Sequence, residues 1–205
     1  MRAVDAYADL RRFGKPVLTT SDAAVRMRVS LSTASKLLGR LAAKGLIQLL
    51  RHGWWSLERG IDPLLLPEYL SAPLPAYVSL QTALHRHGMI EQIPHVIYAV
   101  SLAKTRRIHT SIADYSIHRL APEFFGGYRL DPATHVKMAT QEKALLDVLY
   151  LTAARSRLFA RLPELELPRG FDVRACRPWI KRIRNPSRRI MVTRRLDSIL
   201  AGHRA

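Results

Sequence analysis

Four prolines, Pro63, Pro67, Pro73 and Pro75, fall between Ile61 and Pro75. Proline fixes φ and lacks an N–H, so this stretch holds neither a long helix nor a central strand. It divides the chain of 205 residues, a length that suits one large domain or two small ones. The expected organisation is a domain over 1–60, a Pro-rich linker over 61–75 and a second domain over 76–205. The linker has apolar residues, Leu64, Leu65, Leu66, Tyr69 and Leu70, through which it packs in part. An apolar content of 48% is sufficient for a buried core.

Charge follows the same division. The chain carries 33 Lys and Arg against 16 Asp and Glu, a formal net charge of +17. Residues 1–60 hold a net +7 and residues 171–205 a net +8, while 61–120 and 121–170 hold +1 each. Two basic ends flank a neutral middle. Such a balance points to a polyanionic partner, nucleic acid before an anionic membrane. The longest apolar stretch, Ala144 to Ala154, is interrupted by Asp147. A membrane span needs about 20 apolar residues, so no membrane partner is expected. Met1 to Leu10 carries Asp5 and Asp9 rather than the apolar core of a signal peptide. With one cysteine, Cys176, there is no disulfide framework and no Cys-rich zinc site. The expected location is the cytoplasm.

The first 60 residues follow the order of a winged helix-turn-helix. A helix fits Val4 to Phe13, stopped by Gly14 and Pro16. After the extended piece Val17 to Thr19, Thr20 or Ser21 can cap a second helix, Ser21 to Met27, with Asp22 in its first turn. Arg28, Val29 and Ser30 make the turn, with Val29 as the expected buried residue. Ser30 then caps a third helix, Leu31 to Ala43, and Gly45 suits the position past its end. Ala34, Leu37, Leu38 and Leu41 share one helical face. The opposite face presents Ser32, Thr33, Ser35, Lys36 and Arg40. Small hydroxyl groups let a helix approach base edges, and cations reach guanine edges or phosphates. Two apolar runs, Leu46 to Leu50 and Trp54 to Leu57, then flank Arg51, His52 and Gly53 as a hairpin with a basic tip. Alternation sends one of Trp54 and Trp55 inward. The expected DNA contacts are Ser32, Thr33, Ser35, Lys36 and Arg40 in the major groove, with Arg51 and His52 on the wing.

Beyond the linker the pattern is mixed. Tyr77 to Leu84 leads into a helix with Ser79 as a possible cap and Gly88 as its stop. Val96 to Leu102, Arg106 to Thr110, Tyr115 to Leu120, Tyr128 to Leu130 and Val136 to Met138 read as short strands, with Asp114 and Gly126-Gly127 marking turns. Thr140 caps a helix of about 14 residues with Glu142 in its first turn. The remainder, to Arg204, reads as mostly helical with breaks at Pro163, Pro168, Pro178 and Pro186. If Arg188 to Leu200 is a helix, Ile190, Met191, Leu196, Ile199 and Leu200 pack inward while Arg188, Arg189, Arg194 and Arg195 stay in water. The fold class is α+β: an N-terminal winged helix-turn-helix, then a mixed α/β C-terminal domain.

Tyr77-Val78-Ser79-Leu80, with Ala83-Leu84 and Gly88, precedes the β-rich stretch. The segment Ala139-Thr140-Gln141-Glu142-Lys143-Ala144-Leu145-Leu146-Asp147 follows it. In this order the chain resembles, over nearly its whole length, the AbiEi family, the antitoxins of type IV, abortive-infection toxin–antitoxin systems. The family usually has Pro at the place of Gln141; both residues suit a first helical turn. In the Ala139 to Asp147 segment, Thr140 caps, Glu142 meets the helix dipole, and Ala144, Leu145 and Leu146 pack. The resemblance implies a winged helix joined to an antitoxin domain, and repression of the protein's own operon through upstream promoter repeats in double-stranded DNA. It also implies a functional counterpart, a cognate nucleotidyltransferase-like toxin, opposed without a stable complex. In this family basic surface on the C-terminal domain contributes. The matching positions lie among Arg174, Arg177, Lys181, Arg182, Arg184, Arg188, Arg189, Arg194 and Arg195. Of these, Arg182, Arg184, Arg188, Arg189, Arg194 and Arg195 are the expected secondary nucleic-acid contacts, acting through counterion release.

No catalytic set is expected, and no metal or cofactor. His85 and His87 lie two apart on a helix, about 200° around its axis. His109 and His118 lie on separate strands with Asp114 between them. Arg174 and Arg177 would lower the pKa of Cys176, which has no partner motif. There is no P-loop, no Rossmann glycine pattern and no Asp-x-Asp pair. A metal-dependent nuclease is the alternative of another class, through Asp131 and Glu142-Lys143, although the residue that separates acid from lysine in such enzymes is missing. A plain winged-helix regulator with a sensing or dimerising second domain is the alternative within the binding class.

Overall fold

The computed structural model describes residues 3–152 and 164–202. The fold is mixed α+β and contains two sheets. Three helices and the smaller sheet come first: α1 (Ala3–Arg11), β1 (Val17–Thr19), α2 (Thr20–Met27), α3 (Leu31–Ala43), β2 (Gln48–Arg51) and β3 (Trp54–Ser56). The sheet order is β1-β3-β2, antiparallel throughout. The cap of α2 is Thr19 rather than Thr20 or Ser21. The Thr19 hydroxyl accepts the Asp22 N–H at 3.1 Å, and Asp22 accepts the Thr19 N–H at 2.8 Å. Reciprocal bonding of this kind needs an acid three residues on, and only Thr19 has one there. Arg28 ends the helix in the left-handed region, φ 54°. Val29 is half-buried against the core of this lobe.

Helix α3 begins and ends where the apolar spacing predicts. The Ser30 hydroxyl accepts the Thr33 N–H, and Ala34, Leu37, Leu38 and Leu41 are buried. Each such leucine contributes about 2 kcal/mol by burial. Ala34, Leu38 and Leu41 pack with Leu10, Leu18, Ala23, Ile47, Trp55 and Leu57. Trp55 is the inward tryptophan, and its Nε1 donates to Thr20 Oγ1 at 3.0 Å.

The segment from Ile61 to Pro75 is ordered by its prolines. A 3₁₀ turn, Pro63–Leu65, with Asp62 as its cap, leads into α4 (Leu66–Ser71), which carries Pro67 in its first turn. Leu66 and Leu70 are buried, and Leu65 and Tyr69 are partly so.

The larger sheet has the order β6-β7-β5-β4-β9-β8, from β4 (Ala76–Val78), β5 (Ile97–Ser101), β6 (Arg106–His109), β7 (Asp114–Arg119), β8 (Tyr128–Leu130) and β9 (Lys137–Ala139). The pairs β5–β7 and β4–β9 are parallel and the others antiparallel. Alternation along β5 and β7 splits the core. Val100 faces the helices, whereas Ala99, Tyr115 and Ile117 face Leu66, Leu70, Val17 and Leu50. The Pro-rich segment and the small sheet thus share one apolar cluster with the large sheet.

On the helical face lie α5 (Leu80–Arg86) and α6 (Gln141–Thr152), with α7 (Val173–Lys181) and α8 (Pro186–Gly202) against α6. Every described residue of α6 from Lys143 onward is buried, as expected of a central helix. Several expectations are corrected. Residues 76–78 form a strand rather than a lead into a helix. Ser79 occupies the cap position of α5 without a capping bond; its hydroxyl is given to Asp147 instead. Pro178 lies inside α7 and does not break it. The break expected at Pro186 is present: α7 ends at Lys181 and Pro186 opens α8. The inward face of α8 holds Val192 and Leu196, while Ile190 and Met191 are exposed. Arg188 is half-buried over the Tyr150 ring, 4.7 Å from its centroid, and Arg195 is half-buried too. A register set by Arg188, Val192 and Leu196 at four-residue spacing turns Ile190 and Met191 outward. Pro163 and Arg204 lie outside the described residues.

Candidate nucleic-acid interface

Every residue expected at the DNA surface of α3 and the wing is exposed: Ser32, Thr33, Ser35, Lys36, Arg40, Arg51 and His52. Helical geometry puts the five on α3 on the side away from the buried row of Ala34, Leu37, Leu38 and Leu41. Ser30 organises the start of α3. Its hydroxyl lies 2.8 Å from Thr33 Oγ1 and 3.0 Å from Ser32 Oγ, so the first-turn hydroxyls are already oriented. Thr33, Lys36, Gly39, Arg40 and Ala43 line a shallow groove along the helix. Gly39 lies in it, where an added Cβ would project into open space. Among the described residues, Lys36, Arg40 and Arg51 form no ion pair. Two other cations of this lobe do: Arg26 with Asp9 at 3.1 Å and Arg11 with Glu58 at 3.7 Å.

The β2–β3 hairpin is held at its tip and along its edge. The Gly53 carbonyl at its tip accepts the Thr20 N–H at 2.9 Å. Gly53 itself adopts φ 76°, which permits the tight turn. A bulge places Leu49 opposite Trp55 and Arg51 opposite Trp54, with Leu50 between them. Leu50 is turned inward and buried. Its carbonyl accepts the Ser111 N–H from the turn after β6 at 2.7 Å, and the Leu49 carbonyl accepts the Ser111 hydroxyl at 2.8 Å.

The six arginines of the C-terminal part divide. Arg182 stacks on Trp179 at 4.3 Å, Arg184 lies 3.4 Å from Glu123, and Arg188 covers Tyr150. Arg189 and Arg194 are exposed on α8. Cys176 is buried, and burial pushes its thiol up to about 12. The expected lowering by Arg174 and Arg177 is therefore corrected: both arginines are exposed, and the thiol sits in the apolar core.

Among the described residues, the histidines do not assemble. His109 pairs with Asp114 at 2.9 Å on the surface. His118 is buried, 2.9 Å from Ser116 Oγ. It lies four residues along β7 from the residue opposite His109, about 13 Å away. His85 Nδ1 lies 3.3 Å from the Ile90 carbonyl and His87 Nε2 2.8 Å from that of Ala139. Among the described residues, no three His, Cys, Asp or Glu side chains converge as a metal site would require. Asp131 and Glu142 both line a cleft of about 1040 Å³ between α6, α7 and the β8–β9 hairpin. Asp131 accepts the N–H groups of Ala133 and Thr134, which hold its carboxyl below the ordinary value. Lys143 points away from that cleft into the core.

Lys143 belongs to a network that sequence reasoning passed over. Lys143 and Asp147 are both wholly buried and form an ion pair one helical turn apart. Lys143 Nζ also donates to Tyr77 Oη at 2.9 Å. Tyr77 donates to Asp147 at 3.0 Å, and Ser79 does so at 2.7 Å. Phe124 and Trp179 cover the ammonium, with ring centroids at 4.2 and 5.0 Å. Burial pulls Lys143 down and pushes Asp147 up, and their mutual contact opposes both shifts. Gly127 permits the approach: a Cβ there would lie 2.9 Å from both Lys143 and Trp179. The legible signal was a Lys and an Asp four apart within an otherwise apolar run. No protein-family model matches the chain, and no curated protein matches it.

Among the described residues, no helix is long and apolar enough to cross a membrane.

Proposed function

We propose that this chain is a DNA-binding antitoxin that represses its own operon. Residues 1–60 act as a winged helix, with α3 in the major groove and the β2–β3 turn on the adjacent backbone. The observation that carries this reading is α3 itself. A capped helix buries four apolar residues on one side and presents Ser32, Thr33, Ser35, Lys36 and Arg40 on the other. Its free cations lie in a chain of net charge +17. The small hydroxyl residues permit close approach to base edges, and Lys36 and Arg40 supply charge for guanine or phosphate.

The toxin-directed part of the proposal rests on the resemblance of the Tyr77 and Ala139 to Asp147 segments to AbiEi antitoxins. Those segments meet in the Tyr77–Ser79–Lys143–Asp147 network, which gives them a shared structural role in the second domain. The counterpart is a nucleotidyltransferase-like toxin, opposed without a stable complex, and the protein acts in the cytoplasm.

The test is a pair of measurements on the full chain. Lys36→Ala with Arg40→Ala is expected to weaken binding to the upstream duplex about tenfold or more; unchanged affinity rejects the assignment. Co-expression with the product of the adjacent gene is expected to relieve that product's toxicity. An adjacent gene with no toxic product favours a plain regulator.

A further inference from the structure

The exposed edge of the large sheet runs up to the wing. Strand β6 is the outermost strand, so one side of its backbone has no neighbouring strand. Two residues after it, Ser111 bonds to Leu49 and Leu50 of the wing strand. Arg51 follows Leu50 directly. The β6–β7 hairpin therefore begins its course where the basic wing ends. Arg107 and Lys104 lie no more than about 13 and about 23 Å beyond this junction along the chain. Arg119 stands beside Thr105 at the far end, since its N–H donates to Thr105 Oγ1 at 3.0 Å. Strand alternation sets it on the Tyr115–Ile117 face and Arg107 on the Ser116 face, so the two flank the sheet edge from either side. All three side chains are exposed and form no ion pair among the described residues. The neighbouring charges are accounted for: Arg106 donates to the Leu70 carbonyl, and His109 pairs with Asp114.

We infer that Lys104, Arg107 and Arg119 form a second phosphate-binding track, continuous with the wing, that takes the backbone of duplex DNA flanking the bases read by α3. This rests on the DNA-binding reading of α3 and extends it to the second domain. One DNA strand carries a phosphate about every 3.4 Å of helix axis, so the reach from the wing to Lys104 covers at most roughly seven phosphates. Cations along an edge strand also discourage pairing with another chain; their continuity with the wing is what adds the DNA role. Arg182, Arg184 and Arg188 already serve rings or a carboxylate within the chain, so the hairpin offers the freer charge.

The experiment compares full-length variants on a duplex just covering the protected site and on one extended by ten base pairs each side, over a range of salt. Lys104→Glu with Arg107→Glu is expected to weaken binding to the long duplex at least tenfold. It should lower the salt slope by about two and leave the preference for the upstream sequence unchanged. A charge-matched control, Arg189→Glu with Arg194→Glu on α8, is expected to have the smaller effect. If reversal at β6 proves unfolded by circular dichroism, the glutamine pair Lys104→Gln and Arg107→Gln replaces it, with the same loss of slope expected. Wild-type affinity and slope in the β6 variant, with Lys36→Ala and Arg40→Ala still harmful, overturn the track and leave the α3 reading standing. Equal losses from the β6 and α8 reversals on both duplexes also overturn it, as a general field effect. A wild-type chain with no duplex binding removes both.

Discussion

The Ser111 N–H donates to the Leu50 carbonyl at 2.7 Å, joining the turn after β6 to the open edge of β2. The bond lies on a shared apolar cluster in which Val17 and Leu50 of the first lobe meet Leu66, Leu70, Ala99, Ile108 and Tyr115. Tyr115 reinforces it by donating to the Pro63 carbonyl at 3.0 Å. Burial pushes the Tyr115 phenol up, so it stays a donor. The Pro-rich segment thus works as a wedge between the two lobes.

Shared burial of this extent predicts one cooperative unfolding transition for the whole chain. Denaturant melts followed by tryptophan fluorescence, which samples both lobes, and by circular dichroism should coincide. Ser111→Ala is expected to cost about 1 kcal/mol or less, because Leu49 is exposed and water can replace the hydroxyl. Two separated transitions would mean that the cluster does not couple the lobes.

Removing one half of the buried pair is expected to be severe. Lys143→Met leaves Asp147 charged and buried, at a cost of about 3–5 kcal/mol. The double replacement Lys143→Met with Asp147→Leu should recover only part of that, because Tyr77 and Ser79 then lose their acceptor. Urea midpoints of the two variants check this. A double variant less stable than the single would contradict it.

His118 predicts an acid sensitivity with a definite sign. Burial, and then the charge of Arg107, lower its pKa from 6.5 to about 4 in the fold. The unfolded chain therefore takes up the proton first as pH falls. This contribution is fully present above about pH 6.5, is lost progressively below it, and levels off near pH 4, with a total of about 3 kcal/mol. His118→Gln should flatten the fall in stability across that window. Arg107→Ala should raise the His118 pKa, read by the imidazole shifts in NMR.

The indole of Trp55 needs an acceptor in the core, and Thr20 Oγ1 supplies it at 3.0 Å. Thr20→Val is expected to cost about 1–3 kcal/mol. The β2–β3 turn should loosen with it, since the adjacent Thr20 N–H holds the Gly53 carbonyl. Faster amide exchange at Trp54 and Trp55 is the readout; unchanged exchange would show that the tip is held elsewhere.

Local physics explains which features the sequence reveals. Helix α3 is legible because its cap, apolar row and terminal glycine agree over thirteen residues. Strand β4 is not, because its three residues are buried on both faces and show no alternation. The Lys143–Asp147 pair has the spacing of a surface salt bridge, and only the packing of Phe124 and Trp179 over it turns it inward. The inward row of α8 is set by where Tyr150 meets Arg188, a contact across 38 positions that no helical period encodes. The cations of α3 and the β2–β3 turn are read from local order. The β6 cations join them only through Ser111 and Leu50, which lie 61 positions apart.

Sequence-selective duplex binding is the central claim, and fluorescence anisotropy of the purified chain on its upstream DNA and on a scrambled duplex, at low and near-physiological salt, tests it most directly. A preference of roughly 10³-fold or more for the upstream DNA, persisting at the higher salt, is the predicted result. Equal binding to both duplexes that collapses as salt rises would mean the positive charge acts alone, and would contradict it.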